Sequence, residues 1–161
     1  MLSARLVKII EDHAEQLTRD LIDDLLSNSR TPHYHHLTRE ELHYRTYDVY
    51  RNLGRWLSNE TEESIESSYT HLGKTRFAEG IPLSEVVYSL AQIKHHLQES
   101  IYLGGMIDSA VDLHGYRELQ SLVGRFFDKA VYYTVKGFEH EADRRDPSTA
   151  VKHAAAKHAA F

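Results

Sequence analysis

One stretch of the chain decides the fold that we predict: Thr75-Arg76-Phe77-Ala78-Glu79-Gly80-Ile81-Pro82-Leu83-Ser84-Glu85-Val86-Val87. Apolar residues at helical spacing lie on both sides of Gly80-Ile81-Pro82. Glycine favours the left-handed conformation just past a helix end, and proline suits a first helical turn because its missing N–H would have no intrahelical partner there. The stretch therefore predicts that one helix ends and an antiparallel one begins.

Outside this junction the apolar residues recur every three or four positions, which is the helical period. We predict an all-α fold, a bundle of four long antiparallel helices plus one additional helix, in a domain spanning residues 1–145. The helices are expected at about 3–27, 38–57, 61–79, 83–104 and 113–144. Residues 146–161 are predicted to form a flexible tail or linker.

The second helix has a clear start signal. Thr38 and Glu41 have the capping-box spacing, in which each side chain accepts a hydrogen bond from the other residue's backbone N–H. We therefore expect the helix to begin just after Thr38.

Composition restricts the class of protein. The 161 residues fit one domain, and the absence of cysteine excludes disulfides and thiolate sites and suits a cytoplasmic protein. No apolar run approaches the roughly 20 residues of a membrane span, and no signal peptide is visible. The net charge is −5 with acids and bases interspersed, which argues against nucleic-acid binding.

Two cations lie on or beside predicted apolar faces: Arg76 on the third helix and Lys94 on the fourth. A buried cation requires a carboxylate, an anionic ligand or a path to solvent for its tip. Either the long stems place the charges at the rim of the bundle, or the two residues line a pocket for an anion. Glu85 is the expected partner of Arg76. Tyr69 and Tyr133 also lie on apolar faces, and we expect them to contact a ligand together with Arg76 and Lys94.

His13 is predicted to point inward, because it falls in the middle of the apolar stripe of the first helix. An inward imidazole either bonds to a neighbouring backbone or tyrosine group, or binds a metal or haem, or senses protons. Haem is therefore a possible cofactor, and a globin-like sensor using His95, His96 or His114 is a competing fold.

No catalytic or metal-binding motif stands out. The run His33-Tyr34-His35-His36 lies in a loop without a neighbouring carboxylate, so we expect no genuine metal site there. The chain has no nucleophile elbow, no phosphate-binding glycine loop and no H-E-x-x-H motif. We expect a protein that is not an enzyme.

The segment from Arg76 to Ile101, above all Arg76-x-x-x-Gly80-Ile81-Pro82-Leu83-x-Glu85-Val86-Val87, resembles the N-terminal helical domain of RsbRD-type stressosome co-antagonists. In that family an arginine, a glycine, an apolar residue, a proline, a leucine and an acidic residue follow one another where two helices join. The likeness extends more loosely over residues 1–145, through Leu37-Thr38-Arg39-Glu40-Glu41-Leu42 and Trp56-Leu57.

The resemblance implies an all-helical sensory or assembly module that dimerises and precedes a signalling output domain. It brings no ligand residues with it. We accordingly expect a non-catalytic sensory or protein-interaction domain of a bacterial signalling or stress-response regulator, a cytoplasmic homodimer with a protein partner or a fused output domain. The alternative is a helical sensor that binds haem, through His13, or another small ligand.

Overall fold

A computed structural model of the chain describes residues 2–58, 62–104 and 110–146, with side chains described for 4–57, 62–102 and 113–146. The described part is all-helical and contains no strand, which confirms the predicted fold class. Its elements are α1 (Leu2–Asp12), α2 (Ala14–Ser27), a 3-10 turn (Pro32–His36), α3 (Arg39–Arg51), α4 (Leu53–Ser58), α5 (Glu62–Ala78), α6 (Leu83–Gly104) and α7 (Ala110–Arg145). The predicted tail lies outside the described residues except for Asp146.

The first two predicted helices are each divided in two. At His13 the backbone leaves the helical conformation, and the ring Nδ1 lies 2.7 Å from the carbonyl oxygen of Ile9. The second break falls at Asn52, whose side chain donates to Asp48 at 2.8 Å. The contact of the His13 ring with a backbone carbonyl competes with the regular helical ladder. The apolar residues keep the helical period through both breaks, so the sequence predicted continuous helices.

The junction after α5 has the predicted form. Gly80 has φ +74°, the left-handed conformation. Its N–H donates to the carbonyl of Phe77 at 3.0 Å, and the N–H of Ile81 donates to the carbonyl of Arg76 at 3.1 Å. These two bonds are the Schellman motif, which satisfies the last carbonyls of a helix. Pro82 lies just before α6 and accepts the N–H groups of Glu85 and Val86.

The capping box is also confirmed. Thr38 precedes α3, its hydroxyl accepts the N–H of Glu41, and the Glu41 carboxylate accepts the N–H of Thr38 at 2.8 Å. Both bonds fix where the helix begins.

Helices α5 and α7 pack parallel and in direct backbone contact. Near the start of α5, Glu62 bonds to Lys129 and Tyr133, whereas near its end Phe77 stacks edge-on against Phe138. Small residues permit the contact: a Cβ at Gly73 would overlap the backbone of Thr134, and one at Gly137 would overlap the backbone of Thr70. The expectation that all long helices pack antiparallel is therefore wrong for this pair.

Helix α6 runs antiparallel to α7. Along α6, Lys94 pairs with Asp128, and further on Tyr102 contacts the earlier residue Tyr116. Since α6 also returns along α5 after the Gly80 junction, α5 and α7 point the same way. The main core lies where α1, α4, α5, α6 and α7 meet, and a smaller one joins α2, the 3-10 turn and the start of α6.

Candidate functional site

A cavity of about 820 Å³ opens between α3, α5 and α6. This volume lies within the range of roughly 300–1,000 Å³ that is typical of small-molecule sites. One group of lining residues is apolar or aromatic: Leu25, Tyr34, Leu42, Val49, Trp56, Tyr69, Leu72, Leu90 and Ile93. A second group is polar or charged: Arg45, Asp48, Arg55, Glu63, Ser67, Ser68, His71, Arg76 and Ser89.

Two arginines from different helices lie in the cavity wall with unused donors. Arg76, at the end of α5, is only 5 % exposed, and its Nη1 donates to the Glu79 carboxylate at 2.6 Å. Its Nε is buried with no hydrogen-bond partner, and so is the Nη1 of Arg45 on α3. Burial lowers the pKa of the Arg45 guanidinium, and the positive charge of Arg76 lowers it further. A buried donor without an acceptor is destabilising, so this end of the cavity suits a ligand that supplies one.

Tyr34 of the 3-10 turn positions Arg76. The Arg76 guanidinium carbon lies 5.2 Å from the centre of the Tyr34 ring, a cation–π contact. The Tyr34 hydroxyl lies 2.8 Å from that of Ser89, and because Ser89 donates to the carbonyl of Val86, Tyr34 is the donor between the two hydroxyls. Burial raises the pKa of Tyr34, which keeps it neutral.

The far wall of the cavity is aromatic. Trp56 contacts Tyr69 and Phe126 with ring centres 6.1 and 5.6 Å apart, and Tyr69 contacts Phe126 edge-on at 5.8 Å. The indole N–H of Trp56 donates to Asp48 at 3.2 Å, so the ring is held by packing and by a hydrogen bond. Burial raises the pKa of Tyr69. This wall offers an apolar surface to a ligand.

Of the five residues predicted to bind a ligand, Arg76 and Tyr69 line the cavity. Lys94 does not, since it faces α7 and lies 3.8 Å from Asp128. Tyr133 faces the start of α5, where its hydroxyl donates to Glu62 at 2.9 Å.

The prediction for His13 is wrong. The residue is exposed at the break between α1 and α2, where its backbone is not helical, so a periodicity counted through it does not give its direction. The remaining candidate histidines also lie away from the cavity: His95 pairs with Glu99, His96 lies 3.7 Å from Asp24, and His114 is exposed. In the described part of the chain no group of three possible metal ligands comes together.

The predicted partnership of Glu85 with Arg76 is also wrong. Glu85 is buried and turns towards the 3-10 turn, where it accepts the backbone N–H of His33 at 2.9 Å and lies 2.6 Å from the His33 ring nitrogen. Arg76 instead bonds to Glu79, three residues along its own helix. Both acids neighbour the arginine in sequence, and which one pairs depends on the position of the 3-10 turn.

Sequence analysis missed Arg45, Tyr34 and Ser89. Arg45 carried a usable signal, because it lies three residues after Leu42 and four before Val49, on the edge of the apolar face of α3. Tyr34 lies in a turn with no periodicity, and its burial depends on the packing of distant elements.

None of the described helices has the length and apolar character that crossing a membrane demands. Comparison with protein-family models, with curated proteins and with solved structures finds no match to this chain.

Proposed function

We propose that this protein is a non-catalytic, all-helical sensory domain that binds a small organic molecule in the cavity between α3, α5 and α6. The observation that carries the proposal is the cavity itself, in which an aromatic wall lies opposite two arginines with unused buried donors. An apolar pocket with a few convergent polar groups is the usual form of a ligand site.

The signalling context of this proposal comes from the sequence. The resemblance of the Arg76–Val87 junction to RsbRD-type domains supports a role in a bacterial signalling or stress-response regulator, as a cytoplasmic homodimer acting on a protein partner or a fused output domain. We also propose that α1 with α2, and α3 with α4, each act as one bent helix. The seven helices then correspond to four long ones and one more. Haem is not proposed, since His13 is exposed and His95, His96 and His114 lie away from the cavity.

A neutral probe tests the cavity. N-phenyl-1-naphthylamine fluoresces in apolar surroundings, and Trp56 is the only tryptophan of the chain and lines the cavity. We expect a saturable rise in probe emission together with quenching of Trp56.

Two matched variants locate the binding. Ser68 and Ser121 are both exposed on helices, but only Ser68 lines the cavity. Ser68→Phe should weaken binding at least tenfold by obstructing the cavity, whereas Ser121→Phe should bind like the wild type. Absence of saturable binding, or equal affinity of the two variants, would contradict the proposal.

A further inference from the structure

We infer that the ligand is an organic monoanion with an apolar body, whose carboxylate accepts hydrogen bonds from Arg45 and Arg76. The inference rests on the function proposed above and names the chemical class of the ligand. It is carried by the unused donors, by the distribution of charge along the cavity and by the apolar surface between its ends.

The first observation is that Arg45 and Arg76 have unused N–H donors. A guanidinium has five N–H groups in a planar fork that matches the two oxygens of a carboxylate. The Nε of Arg76 and the Nη1 of Arg45 are buried and have no acceptor. The two side chains approach from α5 and α3, so a head group between them is held from two sides.

The carboxylates near this end leave Arg45 without a bonded partner. Glu79 neutralises Arg76 through the 2.6 Å contact. Glu41 is exposed and accepts the N–H and the hydroxyl of Thr38, and Glu85 accepts the N–H of His33. Arg45 therefore lacks a bonded carboxylate among the described residues, and the carboxylate of a ligand supplies an acceptor for its unused donor.

Two further acidic side chains line the cavity, and one of them, Asp48, lies 4.0 Å from a third lining arginine, Arg55. Glu63 lies thirteen residues before Arg76 on α5, about 20 Å along the helix axis. Asp48 also lines the cavity, where it holds Trp56 and Asn52. Glu63 repels a carboxylate head, whereas Arg45 and Arg76 attract it, so we expect the head at the Arg76 end of α5.

Between the two ends part of the wall is apolar. Leu72, Leu90 and Ile93 line this middle part together with the rings of Trp56 and Tyr69. Tyr69 lies seven residues before Arg76, about 10 Å along α5. Octanoate, with a charged head and an extended alkyl chain of comparable length, is a suitable probe.

The experiment compares octanoate with octan-1-ol and octylammonium by calorimetry on the full chain at pH 7, with Trp56 emission as a second readout. Octanoate should bind at least tenfold more tightly than octan-1-ol, because a hydrogen bond to a charged group contributes at least that factor. Octylammonium should bind most weakly. Hexanoate should bind about 15-fold more weakly than octanoate, at about fourfold per methylene.

The matched variants are Arg45→Met and Arg51→Met. Both arginines lie on α3, but Arg51 is exposed, bonds to the carbonyl of Glu11 and does not line the cavity. Arg45→Met should reduce the preference for octanoate over octan-1-ol at least tenfold, and Arg51→Met should retain it. Arg45→Lys keeps the charge but lacks the planar fork of guanidinium N–H groups, so its preference for octanoate over octan-1-ol should lie between those of the wild type and Arg45→Met.

The outcomes separate the two proposals. If octan-1-ol binds the wild type as tightly as octanoate, or if Arg45→Met keeps the preference, the monoanion is wrong while the cavity remains a ligand site. If neither the octyl compounds nor the neutral naphthylamine binds, both the inference and the proposed function are wrong.

Discussion

The Arg76 guanidinium carbon lies 5.2 Å from the centre of the Tyr34 ring, although the two residues are 42 positions apart in the chain. Through this contact the 3-10 turn forms one side of the cavity, and the Tyr34 hydroxyl joins the same turn to Ser89 of α6. One tyrosine therefore connects three elements around the unused donors of Arg76.

Tyr34→Phe removes the hydrogen bond to Ser89 and keeps the ring. We expect a loss of about 1 kcal/mol in the free energy of unfolding, the usual value for a buried neutral hydrogen bond. Tyr34→Leu also removes the cation–π contact and should lose more. Urea unfolding gives these values, with Tyr44→Phe as a control, since Tyr44 is 80 % exposed. A Tyr34→Phe protein as stable as the control would contradict the role of the hydroxyl.

Gly137→Ala tests the contact between α5 and α7. The added methyl group overlaps the backbone of Thr70, and overpacking of this kind costs about 1–3 kcal/mol or more. Gly124→Ala is the matched control on the same helix, because its Cβ has nothing within 4 Å. That variant should gain roughly 0.5–1 kcal/mol from the higher helix propensity of alanine. If Gly137→Ala and Gly124→Ala changed the free energy of unfolding in urea equally, the close approach of α5 and α7 would be absent.

Gly80→Ala tests the left-handed residue at the junction. Its Cβ meets no atom within 4 Å, so the whole cost comes from φ +74° and should be roughly 1–2 kcal/mol. Asparagine tolerates this conformation better, and Gly80→Asn should therefore lose less. Thermal unfolding monitored by circular dichroism ranks the three proteins, and an alanine variant as stable as the wild type would exclude the strained conformation.

Thr38→Ala should lose about 1 kcal/mol, because the N–H of Glu41 then loses its acceptor at the start of α3. Thr38→Ser keeps the hydroxyl and should unfold at nearly the wild-type urea concentration. If serine and alanine lowered stability equally, the capping box would not be the cause.

The bond between Tyr133 and Glu62 should make stability depend on pH. The hydrogen bond from Tyr133, and then that from Lys129, lowers the pKa of Glu62 below its ordinary 4.5. The same bond is the largest of the effects that raise the pKa of Tyr133 to about 12. A lowered carboxyl pKa stabilises the fold above pH 4.5, and this contribution is lost as pH falls through the folded-state value. A raised tyrosine pKa stabilises below pH 10, and that contribution is lost as pH rises through about 12.

Tyr133→Phe removes this bond, so its deficit in unfolding free energy relative to the wild type should be largest between about pH 5 and pH 10 and should shrink on either side. Tyr132→Phe is the control, since Tyr132 is exposed on the outside of α7. A deficit of Tyr133→Phe that stays constant from pH 3 to pH 11 would contradict the assignment.

Local signals predicted the fold well. The Gly80 junction and the Thr38 capping box were found because each depends on residues within six positions of one another. The divisions at His13 and Asn52 were missed, since the helices are interrupted there without any change in the apolar period. The parallel packing of α5 and α7 was missed because it depends on which glycines meet across two distant helices.

The candidate site was only partly predictable for the same reason. A cation at an apolar spacing indicated Arg76, but it did not indicate which carboxylate would reach it. Lys94 showed the same pattern and instead lies against Asp128 on α7. Periodicity identifies the buried side of a helix, whereas the choice among neighbours on that side depends on tertiary packing.

The backbone contacts at Gly73 and Gly137 have a mechanical consequence. Because no side chain separates α5 from α7 there, neither helix can slide or rotate without displacing the other's peptide groups. Arg76 lies three residues beyond Gly73 on the same helix. If a ligand in the proposed site drew the Arg76 end of α5 towards it, α7, the longest of the described helices, would have to move as well, although α7 does not line the cavity.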